Sequence, residues 1–314
     1  MKNLLLTSVV IIFLLTWQNI AFAQVELVET DNPVYSYLQR MQIKKKITGY
    51  NSANLPLSRY DIGNFLKQLN DVKSGLSSTD KDQLAYYNIE FENEVYGTIK
   101  NQYSLFSDFD IDKMFTDKKQ KHLYAYKDSN ATFFIDYIGS LSYRSSSGDS
   151  LGSHSIILGE GGIGLRGTLF NSVGFSLKAN NGARLNGDSA DYQFARMTDK
   201  TLFANGNAYD FNNDSFYDFY TGYLRYQTPS NWFALSVGRY QVTQGTGFMD
   251  KLFLSDNSVP FDFAKIDLRY KAVSYSFLYG SLRGDSLGVQ LESQNIFTHT
   301  LDVKFSESFS AGFF

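Results

Sequence analysis

Cysteine is absent from the 314-residue sequence, which excludes disulfides, thiolate chemistry and lipid attachment at an N-terminal cysteine. Histidine is scarce. His122, His154 and His299 lie in unrelated segments without a ligand spacing, so neither a metal nor any other cofactor is expected. After Ala23 no apolar run has the length that a membrane-crossing helix needs. A strong charge of either sign is missing too. Setting Lys2 aside as part of a leader leaves 28 of the 29 basic residues against 32 acidic ones. That balance offers no general attraction to nucleic acid or to an anionic lipid surface.

Aromatic residues, by contrast, are abundant: 16% of the chain, with 22 Tyr and 27 Phe. Such rings serve sandwich cores, interfacial girdles and stacking platforms equally well. The slightly polar mean hydropathy is compatible with a membrane barrel, because half of each strand there faces a wet lumen.

The N-terminus reads as a secretory signal. Lys2 precedes an apolar core over residues 4–15, and Ala21-Phe22-Ala23 is the small-x-small pattern of a signal-peptidase site. The core is too short to anchor the chain across ~30 Å of hydrocarbon. The expected organisation is a signal peptide over 1–23, a periplasmic helical bundle or plug over 24–97, a connecting segment over 98–130 and barrel strands over 131–314.

The period of the apolar residues changes along the chain. In the N-terminal part it is helical. Asn32 is a suitable N-cap and Pro33 suits the first helical position, followed by Val34, Tyr37, Leu38 and Met41 on one face. Lys44, Lys45 and Lys46 complement the helix dipole as a solvated end, and Gly49 is expected to stop the helix. Ser58 to Asp61 resembles a capping box for a second helix that buries Ile62, Phe65, Leu66 and Leu69. A third is expected from Ser78 through Leu84, Tyr87, Phe91 and Val95.

From Phe133 onward the pattern alternates. Phe133, Ile135, Tyr137, Leu141 and Tyr143 oppose Asp136, Ser140, Ser142 and Arg144; Ile157, Ile163, Leu165 and Leu169 oppose Glu160, Arg166 and Thr168. After a turn at Asn171-Ser172, Val173, Phe175, Leu177 and Ala179 oppose Ser176, Lys178 and Asn180. Phe233, Leu235 and Val237 continue the series, as do Ile266, Leu268 and Tyr270 against Asp267, Arg269 and Lys271. Several segments run 10 or more residues, near the ~9–11 that cross a bilayer on a tilt. One connection, over 181–216, is long and rich in Gly, Asn and Asp. These features favour an outer-membrane barrel over a secreted sandwich. Nine strand-like segments can be counted, an odd number, and the last stops at Phe314 after about six residues, so the expectation is an incomplete barrel. The competing reading makes Phe314 the terminal aromatic of an assembly signal.

Candidate chemistry is non-catalytic. His154-Ser155 lacks a motif that would supply an orienting group, and the glycines between Gly159 and Gly164 sit inside a strand pattern without a following helix, unlike a nucleotide loop. Asp210, Asn212, Asn213 and Asp214 offer oxygen ligands but lack an EF-hand pattern, so a solvated loop is expected. Glycan contact calls for aromatic faces beside carboxylates, amides or Arg. Tyr209, Phe211, Phe216, Tyr217, Asp218 and Tyr220 supply that mixture, with an interfacial girdle as the equal alternative. Arg239, Gln244 and Asp262 supply it again, although a lumen salt bridge is the stronger expectation for Arg239.

Two stretches resemble the capsule-assembly Wzi family of outer-membrane proteins. The first runs Pro33-Val34-Tyr35-Ser36-Tyr37-Leu38-Gln39-Arg40-Met41, then Leu55-Pro56-Leu57-Ser58-Arg59-Tyr60. The second runs Val237-Gly238-Arg239-Tyr240, then Gln244-Gly245-Thr246-Gly247, then Leu252 to Asp262. It departs from the family pattern at Gln244, where Trp is common, and at Thr246, where Pro is common. The resemblance implies a helical plug at the periplasmic end of a barrel of about 18 strands, of which this chain would supply roughly half. It also implies a non-enzymatic surface lectin in the Gram-negative outer membrane. The lectin would hold capsular or exopolysaccharide beside outer-membrane lipid and the polysaccharide export machinery. A porin or transporter channel is the alternative.

Overall fold

The computed structural model describes residues 24–107, 110, 112, 118–148, 152–198, 206–211, 214–245, 251, 253–255, 259–282, 294–306 and 309–313. The signal-peptide reading, Phe314, Asn212-Asn213 and, in the family-like stretch, Thr246, Gly247, Leu252 and Asp256 to Ser258 lie outside them.

Four helices open the described chain: Val34–Ile43 (α1), Arg59–Asp71 (α2), Ser78–Glu90 (α3) and Glu92–Tyr96 (α4). The Asn32 side chain accepts the Val34 N–H at 2.9 Å, as a cap should. α1 ends earlier than Gly49: Lys45 takes the left-handed conformation, and the N–H groups of Lys45 and Lys46 close on the carbonyls of Gln42 and Met41. Lys44 pairs with Asp80 at 2.7 Å, which with the Ser77 hydroxyl holds that carboxyl below its usual range. Ser58 caps α2 by accepting the Asp61 N–H. The expected third helix is broken at Phe91, which leaves the helical region of backbone space and separates α3 from α4. Leu38, Met41, Ile62, Leu66, Leu69, Leu84 and Phe91 share one apolar core.

The strands begin with short pieces, Asn54–Leu55 (β1), Gln102–Ser104 (β2), Gln120–His122 (β3) and Tyr124–Lys127 (β4). Ala131–Ser146 (β5), His154–Leu169 (β6) and Val173–Asn186 (β7) are long. Gly206–Phe211 (β8), Asp214–Gln227 (β9), Phe233–Tyr240 (β10) and Thr243–Gln244 (β11) follow, then Phe261–Tyr270 (β12), Val273–Leu282 (β13), Gln294–Lys304 (β14) and Ser310–Phe313 (β15). One antiparallel sheet runs β15-β14-β13-β12-β10-β9-β7-β6-β5-β4, with β8 beside β9. Among the described residues the sheet is open, with β4 and β15 at its edges, and no closed barrel forms.

The chain between Asn181 and Phe216 is more ordered than a long loop. β7 continues to Asn186, Asp188 caps a fifth helix, Ser189–Thr198 (α5), and β8 returns beside β9. Tyr192 and Ala195 of α5 are buried against Ile156, Leu158 and Tyr217. The tight turn between β6 and β7 places Phe170 and Asn171 at the left-handed positions, one residue earlier than Asn171-Ser172. Connections at that end of the sheet are short. Those at the other end, over 147–153, 187–205, 241–260 and 283–293, are long.

The two faces of the sheet invert the usual arrangement of a water-soluble protein. The registers place Tyr137, Ile163 and Ala179 in one row and Leu224, Val237 and Ala264 in another, all on the same outward face. Tyr137, Leu141, Tyr143, Ile163, Leu177, Leu224, Tyr270 and Phe297 on this face are all exposed. The opposite face is polar yet buried, carrying Thr132, Thr168, Asn180, Arg225, Gln227, Ser236, Lys265, Asp267, Ser276, Thr298 and Thr300.

The N-terminal region lies against that polar face. Residues 24–30 form a strap between it and the helices. The Val25 N–H reaches Thr168 Oγ1 at 3.2 Å and the Leu27 N–H reaches the Tyr223 hydroxyl at 2.6 Å. On the strap's other side, the N–H groups of Arg59 and Tyr60 donate to the carbonyls of Glu26 and Gln24. Gly174 permits this approach, since a Cβ there would come within 2.9 Å of the Val25 and Glu26 backbone.

Candidate functional site

Three of the nine candidate glycan residues, Tyr220, Arg239 and Asp262, converge on the outward face. Pairing of β10 with β12 sets Arg239 opposite Asp262. Their side chains form a two-pronged ion pair, Nε to Oδ1 at 2.7 Å and Nη2 to Oδ2 at 2.8 Å. On β9 the residue opposite Arg239 is Gly222. Without a side chain there, the guanidinium extends across the strand to the Tyr220 ring, 5.2 Å from its centroid. The Arg239 side chain is 15% exposed and that of Asp262 is 58%, so the carboxylate stands in the open while the guanidinium is covered. The expected salt bridge of Arg239 therefore exists, but on the apolar outward face and not on the polar one.

Below this cluster the face is apolar. A shallow, open groove of about 1000 Å³ is lined by Leu169, Phe175, Leu177, Leu224, Val237 and Ala264 together with Tyr220, Arg239 and Asp262. The row of the ion pair continues into the polar pair Ser281 and Asn295, and four residues further along β7 and β9 the outward face is polar again at Asn181 opposite Asp218. Near the tight turns it ends in exposed aromatics, Phe170, Trp232, Tyr270 and Phe305. Between Asp262 and Tyr270 this band measures about 27 Å along β12.

The other candidates are placed elsewhere. Tyr209 is on the outward face, stacked on Phe216 with centroids 5.7 Å apart, and its hydroxyl accepts from Asn181 Nδ2 at 3.0 Å. Tyr217 turns inward and is buried; its hydroxyl donates to Glu160 at 2.9 Å and its ring covers Gly182. Gln244 is fully buried. It pairs through β11 with Asn54 of β1, and its Oε1 accepts from Thr298 Oγ1 at 2.7 Å. Gln244 thus ties the chain before α2 to the sheet and is not a surface glycan contact. Its neighbours Val242 and Leu254 are buried with Tyr223, Tyr240 and Phe263, which folds this connection over the inner face.

Asp61, at the cap of α2, and Arg269, on the polar face of β12, form the join between helices and sheet. Asp61 accepts Arg269 Nη1 at 2.8 and 2.9 Å and Asn231 Nδ2 at 3.0 Å. Burial alone would raise the Asp61 carboxyl, but the Arg269 guanidinium and the Ser58 hydroxyl outweigh it and hold it below its usual range. Glu26 behaves oppositely: buried in the strap, it is pushed above its usual range despite Arg166 and Arg59 nearby. Deeper in the sheet Asp267 receives Lys265 at 3.2 Å, Ser276 at 2.9 Å and Arg225 at 3.4 Å. The signal for this network was the run of alternating charges at Lys265, Asp267 and Arg269.

The histidines hold separate positions. His122 sits between Asp136 and Gln102, buried and pushed below its usual range by desolvation. His154 pairs with Asp191 at 3.0 Å and stacks on Phe194, while the hydroxyl of the adjacent Ser155 donates to Tyr143 at 3.2 Å, so the two do not form a nucleophile and its base. His299 meets the Tyr275 hydroxyl at 2.7 Å. Among the described residues no group of three or more His, Asp or Glu side chains is placed to hold a metal ion. The glycines from Gly159 to Gly164 lie within β6, which leads to a tight turn and another strand. No protein-family model, curated protein or solved structure matches the chain.

Proposed function

We propose that this chain is a non-enzymatic outer-membrane protein that holds capsular or extracellular polysaccharide at the surface of a Gram-negative cell. The observation that carries the membrane part is the inversion of the sheet: an exposed apolar outward face over a buried, charged inner one. In water such a face would be far larger than the few hundred Å² of contiguous apolar surface that soluble monomers tolerate. Against hydrocarbon it has a natural neighbour, and the exposed aromatics at its lower boundary match the girdles of membrane strands. Short connections beside the helices and long ones opposite accord with helices on the periplasmic side.

The polysaccharide part rests on the resemblance to the Wzi family together with the Arg239, Asp262 and Tyr220 cluster. The channel alternative is disfavoured because the strap, α2 and the β11 connection occupy the inner face where solute would pass. The open sheet would be part of a barrel that plugs its own lumen. Cell fractionation tests the location: the protein should stay with outer membranes through carbonate extraction, and recovery in the periplasm or medium would overturn the reading. Loss of the protein should release polysaccharide from the cell surface without lowering its synthesis. In planar bilayers the intact protein should conduct little; free conduction would favour the channel.

A further inference from the structure

We infer that Arg239, Asp262 and Tyr220 bind the sugar head of a glycolipid whose acyl chains lie in the groove below them. This inference rests on the membrane reading above and narrows the glycan it implies. The side chains supply the requirements of a sugar site: a ring face at Tyr220 for C–H surface and an exposed Asp262 carboxylate to accept hydroxyl protons, held in place by the covered Arg239 guanidinium. They face away from the inner side of the sheet, at the level where the outward face changes from apolar to polar. A sugar carried on acyl chains would meet them there from the side of the apolar face.

The groove supports the same occupant. Its lining is apolar at Leu169, Leu177, Leu224 and Val237 and charged only at the ion pair, which itself forms part of the wall. Charge narrows the head group. Of the ion pair, the guanidinium is the covered member and the carboxylate the exposed one, so the cluster presents an acceptor, not a cation, to a head group and disfavours an anionic phosphate. An uncharged, hydroxyl-rich head fits it better than a phospholipid head.

The test uses the detergent-purified protein and native mass spectrometry, with galactosyl diacylglycerol as the probe. Phosphatidylglycerol serves as the sugar-free lipid and methyl galactoside as the chain-free sugar. Galactosyl diacylglycerol should be retained about tenfold more than phosphatidylglycerol, and methyl galactoside should not displace it. The double variant Tyr220→Leu with Asp262→Asn should lose the preference while still retaining phosphatidylglycerol, and Leu224→Trp should reduce retention of both lipids. Equal retention by the wild type, an undiminished preference in the double variant, or displacement by methyl galactoside would each overturn the inference. Carbonate-resistant insertion into phosphatidylcholine vesicles is measured in parallel. Insertion without lipid preference overturns the glycolipid alone; failure to insert overturns the membrane reading and the glycolipid with it.

Discussion

At the scale of single residues, the join between helices and sheet depends on a few buried charges. Asp61 is the acceptor for both Arg269 and Asn231, so Asp61→Asn leaves a guanidinium without its counter-charge. Breaking a buried pair in this way costs about 3 kcal/mol, measurable as a lower urea midpoint for the N-terminal region. Because the Asp61 carboxyl is held low, its contribution is complete above the ordinary aspartate pKa of about 4. It is lost as pH falls through the lowered value, so wild type and Asp61→Asn should converge in strong acid. Glu26 has the opposite sign. Its raised carboxyl favours folding below the ordinary glutamate pKa, and that advantage disappears as pH rises through the raised value. Glu26→Gln should therefore stabilise the strap at neutral pH and gain nothing near pH 4, with protease resistance of residues 24–30 as the readout.

Among the elements, the strap and the helices behave as a unit laid on the sheet. Gly174→Val would drive a side chain into the Val25 and Glu26 backbone, so the strap should lift and become protease-sensitive while the strands remain intact. Leu66→Ala, in the apolar core of the helices, should cost about 2–5 kcal/mol by leaving a cavity and should loosen the helices without altering the outward face. Much of this was legible in the sequence. The alternation from Phe133 gave strand faces correctly because period two leaves each side chain only two choices. The Ser58 cap was readable because its partner is three residues away. The break at Phe91 was not, since Leu84, Tyr87, Phe91 and Val95 keep a helical spacing straight through it. Nor was α5, where a capping Asp188 and the buried Tyr192 lay within a stretch whose Gly, Asn and Asp content suggested only a loop. Gln244 is ambiguous for a related reason: an amide suits a sugar or a buried hydroxyl equally well, and only the fold of Val242 to Gln244 over the inner face brings Thr298 within its reach.

For the whole molecule, the sheet has an exposed apolar side at Leu177, Leu224, Leu235 and Leu268 and a covered polar side opposite, and the proposal is that hydrocarbon meets the first. Under it Arg239 and Asp262 would belong to the boundary between hydrocarbon and head groups, which neither composition nor spacing could assign, because their position depends on how β9, β10 and β12 align. Removal of residues 32–95 should leave the strands able to insert but uncover the inner face, seen as an increase in conductance over the intact protein. The most direct test exploits the absence of cysteine. Single cysteines at Leu177, Leu224, Leu235 and Leu268, and at the inward Ser176, Thr221, Ser236 and Ser276, can each carry a bimane fluorophore in vesicles containing nitroxide-labelled lipid. Strong quenching is expected at the four leucine positions and little at the four inward ones, the two classes sharing a strand in β7, β9 and β10. Equal quenching on both faces, or full labelling of the leucine positions by a water-soluble maleimide in intact vesicles, would contradict the proposal.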